Sequence, residues 1–212
     1  MWSWEGSFAM RRVTFLGSKR IASRGFSLIE VVIALAVILI LSAFALPAFV
    51  KAYRIYQLTD AATQFAGLLK FTRFEAIRLN TNVSCRIQQT ASVPPVTNMW
   101  ADSLPTPEDG VEDPSEKQLL FSGTVNLVPA AAVPNAAGLA AAASVPALAT
   151  VPLANGFVTF DRRGAVNPAQ VYAFYLSNQN DPSVGARAVI LLPSGSVQIW
   201  KADSLGNWIS LS

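Results

Sequence analysis

The sequence predicts an α+β protein in which one long N-terminal helix packs on a C-terminal antiparallel β module. Three observations predict it. Residues 31–50, VVIALAVILILSAFALPAFV, leave the apolar set only at Ser42 and Pro47. Beyond Val50, apolar residues recur at helical spacing as far as Leu79. From residue 83 onward, short strand-like runs alternate with turn signals.

Composition sets limits before any element is read. Of 212 residues, 52% are apolar and 14% charged, where a soluble domain carries about 25% charged residues. There is no His, and Cys85 is the one Cys. Ser-His-Asp and Cys-His triads, His-ligated metals, internal disulfides and Cys-rich zinc sites are therefore excluded. The net charge of +3 and pI near 9.2 invite a polyanion or a membrane surface as partner. That charge is unevenly placed. Residues 1–25 hold Arg11, Arg12, Lys19, Arg20 and Arg24 against Glu5, so residues 26–212 carry 11 basic and 12 acidic side chains.

The apolar segment comes first. Extended back to Phe26 it runs for 25 residues, interrupted by Glu30, and a membrane span needs about 20. The basic flank on its N-terminal side places that end in the cytoplasm and the rest of the chain outside. Three readings fit the segment. A secretory signal peptide would use Ala43-Phe44-Ala45 as its cleavage site, but its apolar stretch would be long and would carry Glu30 near its start. A plain signal anchor accounts for length and orientation but not for a carboxylate, which costs about 2.5–3.5 kcal/mol inside a bilayer.

The third reading accounts for the acid. Arg24-Gly25-Phe26-Ser27-Leu28-Ile29-Glu30 resembles the processing site of type IV prepilins and type II secretion pseudopilins. The resemblance implies that a membrane prepilin peptidase cuts after Gly25 and that the new N-terminal Phe26 is methylated. It also implies that the apolar segment is kept as half of an assembly helix. Glu30 falls at the fifth mature position, and Pro47 at the twenty-second, where the family carries a Pro. By the same resemblance Glu30 pairs with the N-terminal amine of a neighbouring subunit. A buried carboxylate tolerates such a site when a cation meets it, and the pair sets register between featureless apolar helices. The leader is longer than is usual, and Met10 opens a shorter basic one, so the start is Met1 or Met10.

The second half of the helix is amphipathic. Leu58, Ala62, Phe65, Leu69, Ala76 and Leu79 form a stripe that predicts packing on the C-terminal domain, and Asn80-Thr81-Asn82 predicts the stop. A continuous helix over 26–79 would be about 80 Å long, kinked at Pro47. Its end, Arg73-Phe74-Glu75-Ala76-Ile77 running into Asn and Val83, resembles H-type minor pseudopilins and FimT-like minor pilins (the GspH/FimT-like group). Val158-Thr159-Phe160-Asp161-Arg162-Arg163-Gly164 and the hairpin Val189–Ile199, turning at Pro193-Ser194-Gly195, extend that resemblance.

The predicted organisation is a leader over 1–25, a transmembrane assembly helix over 26–50, its amphipathic continuation over 51–82 and a β-rich domain over 83–212. Strands are expected at 83–88, 118–127, 156–161, 171–177, 187–192, 196–201 and 208–211. Residues 91–116, with five Pro and six acids, read as a solvated acidic loop without EF-hand spacing. Residues 129–154, with 12 Ala, 4 Pro and no charge, read as a mobile insertion. Cys85 reads as a buried apolar residue.

The resemblance implies a minor pseudopilin or minor pilin: a structural subunit, not an enzyme, with no cofactor and no metal. Its partners would be other pilins along the helix, the prepilin peptidase and the inner membrane, with the β-rich domain periplasmic or extracytoplasmic. The alternative is a FimT-like pilin that binds DNA during natural transformation. There the last Gly is followed by Arg-x-Arg, whereas Gly195 is followed by Ser196-Val197-Gln198. Arg162 and Arg163 are the weak remaining contacts, so DNA is not the expected partner.

Overall fold

The computed structural model describes residues 27–103, 106–121, 123–203 and 205–211. The leader with Met10, and the cleavage and methylation positions Gly25 and Phe26, lie outside them. The chain divides into two compact units, Met1–Phe44 and Ala45–Ser212.

In the first unit the described chain is the start of helix α1 (Leu28–Leu79). Its opening turn is closed by the Val31 N–H donating to the Ser27 carbonyl at 3.2 Å. Every residue from Leu28 to Phe44 is exposed except Ser42, whose hydroxyl donates to the Ile38 carbonyl at 2.7 Å. That bond satisfies the one hydroxyl in the apolar run, which lipid would not.

In the second unit α1 continues through Pro47 to Leu79. Its buried face is Leu58, Ala61, Ala62, Phe65, Ala66, Leu68, Leu69, Thr72, Glu75 and Ala76, the predicted stripe broadened by its neighbours. The helix stops where Asn80 turns to φ +53° and the Thr81 N–H donates back to the Ala76 carbonyl at 3.2 Å. Asn is one of the few residues that takes this left-handed position at a helix end.

Among the described residues ten strands follow, in two five-stranded sheets. The first contains β1 (Val83–Gln89), β2 (Thr97–Asp102), β3 (Gln118–Phe121), β5 (Gly156–Phe160) and β6 (Val166–Asn167), in the order β3-β2-β1-β5-β6. The second contains β4 (Val125–Val128), β7 (Tyr172–Asn178), β8 (Ala186–Leu191), β9 (Val197–Ala202) and β10 (Trp208–Ser210), in the order β10-β9-β8-β7-β4. All strand pairs are antiparallel. One core joins α1 to a face of each sheet: Phe65 and Leu69 meet Cys85, Ile87 and Val158 from the first, and Phe174, Leu176 and Val189 from the second. Phe65 meets Phe174 edge-on, with ring centroids 5.0 Å apart, a geometry that adds about 0.5–1.5 kcal/mol to simple burial.

Two predicted loops are corrected. Residues 91–116 contain strand β2, with Met99, Trp100 and Ala101 buried. The prolines flank that strand instead of interrupting it, so the ladder to β1 is intact. The Ala/Pro-rich stretch 129–154 is a packed cover and not a mobile insertion. It forms a 3-10 turn at Ala130–Ala132 and a short helix, α2 (Gly138–Ala142). Val133 and Leu139 are buried against Ala173, Tyr175, Ala188, Ile190 and Trp200 on the second sheet. Ala149 then pairs with Tyr172 beside β7. Small uncharged side chains let backbone lie close to that sheet, which explains why β8 is buried at all six positions. The single strand expected over 118–127 is two: at Gly123, with φ +110°, the chain leaves the first sheet for the second.

Candidate functional site

The two positions on α1 expected to serve assembly, Glu30 and Pro47, lie among the described residues. Glu30 lies in the first turn of the helix and is exposed. Among the described residues no cation meets it. Pro47 lies inside the same helix. Since Pro has no N–H, it releases the carbonyl one turn earlier. Around these two residues the surface is aliphatic and aromatic, from Leu28 to Val50. By length and composition this helix is apolar enough to cross a membrane.

A second site lies where α1 ends, and it brings together the three motif segments that the sequence leaves far apart. Arg73 runs under two glycines in the left-handed region, Gly164 (φ +77°) and Gly195 (φ +78°). A Cβ at Gly195 would lie 2.1 Å from the Gly164 carbonyl oxygen and 2.8 Å from Arg73 Nε. A Cβ at Gly164 would lie 2.7 Å from Ile77 Cδ1 and 2.9 Å from Arg73 Nε. The Val166 N–H donates to the Pro193 carbonyl at 2.9 Å, which ties the two turns to one another. Within the helix motif, Ala76 is fully buried and Glu75 nearly so. Glu75 accepts from Arg78 at 2.5 Å, which holds the Arg78 guanidinium above its ordinary pKa. The motif is thus a packing device: helix, turn and hairpin interlock around one arginine.

Arg162 and Arg163 are exposed on the turn that leads into Gly164. Asp161 caps that turn, accepting from the Arg163 and Ala165 N–H groups at 2.8 and 2.9 Å. Neither guanidinium forms an ion pair among the described residues.

Several buried polar positions escaped sequence reading. Asp102 is fully buried, and its Oδ2 accepts from Arg86 Nε at 2.5 Å and from the Gly110 N–H at 3.0 Å. Arg86 also lies over the Phe157 ring, 5.5 Å from its centroid. Glu116 accepts from the Ser103 and Asp113 N–H groups at 2.7 and 3.1 Å. Two of the six acids therefore brace the loop from inside. Among the described residues no three His, Cys, Asp or Glu side chains are placed to share a metal ion. Arg187, 4% exposed, donates to the Thr59 hydroxyl at 3.1 and 3.0 Å, and burial lowers its pKa. Arg54 pairs with Asp181 at 2.7 Å. Such pairs between distant segments carry no local sequence signal. The Cys85 thiol is buried and pushed up to about 12 by desolvation, against a smaller opposing bond from Thr72.

Residues 20–46 match the model of the prokaryotic N-terminal methylation motif, and residues 61–195 match that of the type II transport protein GspH. No curated protein matches the chain. Among solved structures it is similar to the type IV minor pilin FimU of Pseudomonas aeruginosa in two crystal forms. In one the identity is 15% and the TM-score 0.42, covering 68% of this chain and 88% of that one. In the other the identity is 16% and the TM-score 0.42, covering 67% and 91%. The GspH match spans more than half of the chain and contains Arg73, Gly164 and Gly195. The chain belongs to the GspH family: it is a minor pseudopilin or pilin, a structural subunit of a type II secretion or type IV pilus system.

Proposed function

We propose that the chain enters the inner membrane with its N-terminus in the cytoplasm and its β-rich domain on the far side. There the prepilin peptidase cuts after Gly25, Phe26 is methylated, and the mature subunit joins a filament through α1. The observation that carries this reading is the exposed apolar stretch Leu28–Val50 with Glu30 in its first turn. Cleavage at Gly25 frees an α-amine on Phe26, four residues before Glu30. The amine of a neighbouring subunit supplies the cation that makes a carboxylate tolerable among apolar helices. Pro47 leaves a carbonyl in the same helix that neighbouring helices can satisfy.

Glu30→Ala tests the assembly role. It is expected to leave membrane insertion and leader removal intact, read by mass spectrometry of the mature N-terminus, while incorporation into sheared filaments falls at least tenfold. Normal incorporation would overturn the role of Glu30. Retention of residues 1–25 in the mature protein would overturn the processing step. Salt-dependent binding of duplex DNA by the full chain, lost in Arg162→Gln/Arg163→Gln, would favour the DNA-binding alternative.

A further inference from the structure

We propose that the loop between β7 and β8, together with Lys51 and Arg54, forms a docking surface for anionic lipid headgroups. The loop comprises Gln179, Asn180, Asp181 and the 3-10 turn Pro182–Val184. It is fastened to α1 by the 2.7 Å pair between Asp181 Oδ2 and Arg54 Nη1. Arg54 lies four residues beyond Val50, where the apolar run ends, which is about 6 Å along a helix. Lys51 lies one turn below Arg54, on the same side of the helix, exposed and with no acidic partner among the described residues.

The charge at this level leans cationic. Lys51, Arg54, Lys201 and the buried Arg187 stand against Asp181, which Arg54 already neutralises, and Asp203, whose backbone lies beside Gly185 at the end of the loop. Arg187 is held by the Thr59 hydroxyl and the Ala186 carbonyl and forms no ion pair among the described residues. The next acid along the helix is Asp60, beside the Thr59 that holds Arg187, and it accepts from Gln64. The exposed loop side chains, Gln179, Asn180, Pro182 and Ser183, are uncharged. Tyr53 and Tyr56 are exposed on the same stretch of helix, and amphipathic rings of this kind collect at the headgroup level of membranes. A net-cationic surface with tyrosines beside it, continuous with an apolar helix, fits a phosphate-bearing lipid surface.

This inference rests on the reading of Leu28–Val50 as a membrane span. The test uses the full chain in vesicles of phosphatidylcholine alone or mixed equally with phosphatidylglycerol. A fluorophore is attached to Asn180→Cys or, as a reference, to Arg162→Cys, and the buried Cys85 stays unlabelled. Arg73, which packs beside the Arg162 turn, is nineteen residues or about 28 Å up the helix from Arg54. Headgroup-spin-labelled lipid should quench the label at 180 at least threefold more than at 162 in the anionic vesicles. Lys51→Gln, or removal of phosphatidylglycerol, should reduce that excess at least twofold. Equal quenching at the two positions in chains that float with the vesicles would overturn the docking surface alone. An excess unaffected by both lipid charge and Lys51→Gln would overturn the role of charge, and with it the proposal. Chains that fail to float would overturn the membrane helix as well.

Discussion

At Gly195 two constraints meet in one residue: a left-handed φ of +78° and a carbonyl oxygen 2.1 Å from where a Cβ would stand. The first costs a non-glycine residue about 1–2 kcal/mol, and forcing atoms into a filled site costs about 1–3 kcal/mol. Gly195→Ala should therefore lower stability by about 2–5 kcal/mol, read as a shifted midpoint in denaturant titration of the full chain in detergent. Gly123, where nothing lies within 4 Å of an added Cβ, is the control: Gly123→Ala meets only the backbone term. Cys85 offers a second residue-scale test. Burial pushes its thiol up to about 12, so at pH 8 it should resist alkylation in the folded chain and react once unfolded. Above about pH 9 the unfolded thiol ionises while the folded one does not, so stability should fall as pH rises toward 12. Cys85→Ala should remove that slope.

Among the elements, α2 shows how far a composition can mislead. Twelve alanines without charge carry no periodicity, so the stretch reads as slack chain. Its order comes from Leu139, fully buried, and from the backbone pairing of Ala149 with Tyr172. Both are tertiary contacts with strands of the second sheet farther along the chain, and they leave no trace in the local pattern. Leu139→Ala should cost about 2–5 kcal/mol, with amide exchange speeding first in Ala173–Tyr175. Strand β2 was hidden for a related reason: the flanking prolines dominate a short window, although Met99-Trp100-Ala101 is buried between β1 and β3. By contrast, α1, its stop at Asn80 and most of the remaining strands were legible. Each is set by its own pattern of apolar spacing and turn residues. The motif glycines were legible as a resemblance, but their convergence on Arg73 was not, because nothing local links residue 73 to 164 and 195.

On the scale of the whole molecule, the β-rich unit is held together across long stretches of chain by few charged links. Arg54–Asp181 spans 127 residues and fastens α1 to the loop after β7. The Asp181 carboxyl lies below its usual range, first because Ser183 donates to it and then because of Arg54. A depressed carboxylate contributes stability above its unfolded value, and that contribution disappears as pH falls through the folded one. Asp181→Asn should therefore weaken the chain at pH 7, with the difference from the unaltered protein shrinking as pH falls below the ordinary carboxylate range. Melting curves of both proteins across that fall in pH measure it. Both groups are near the surface, so salt should shrink the effect.

The packed Ala/Pro-rich cover has a practical consequence for anyone who wants to see this subunit in a cell. Its bland composition makes residues 129–154 the tempting place for an epitope or a fluorescent insert, yet a graft there would pry Leu139 from the second sheet and strip the apolar side of β8. Val93, 97% exposed in the turn between β1 and β2, is the better point of attachment. A tag at that turn leaves both sheets and α1 intact.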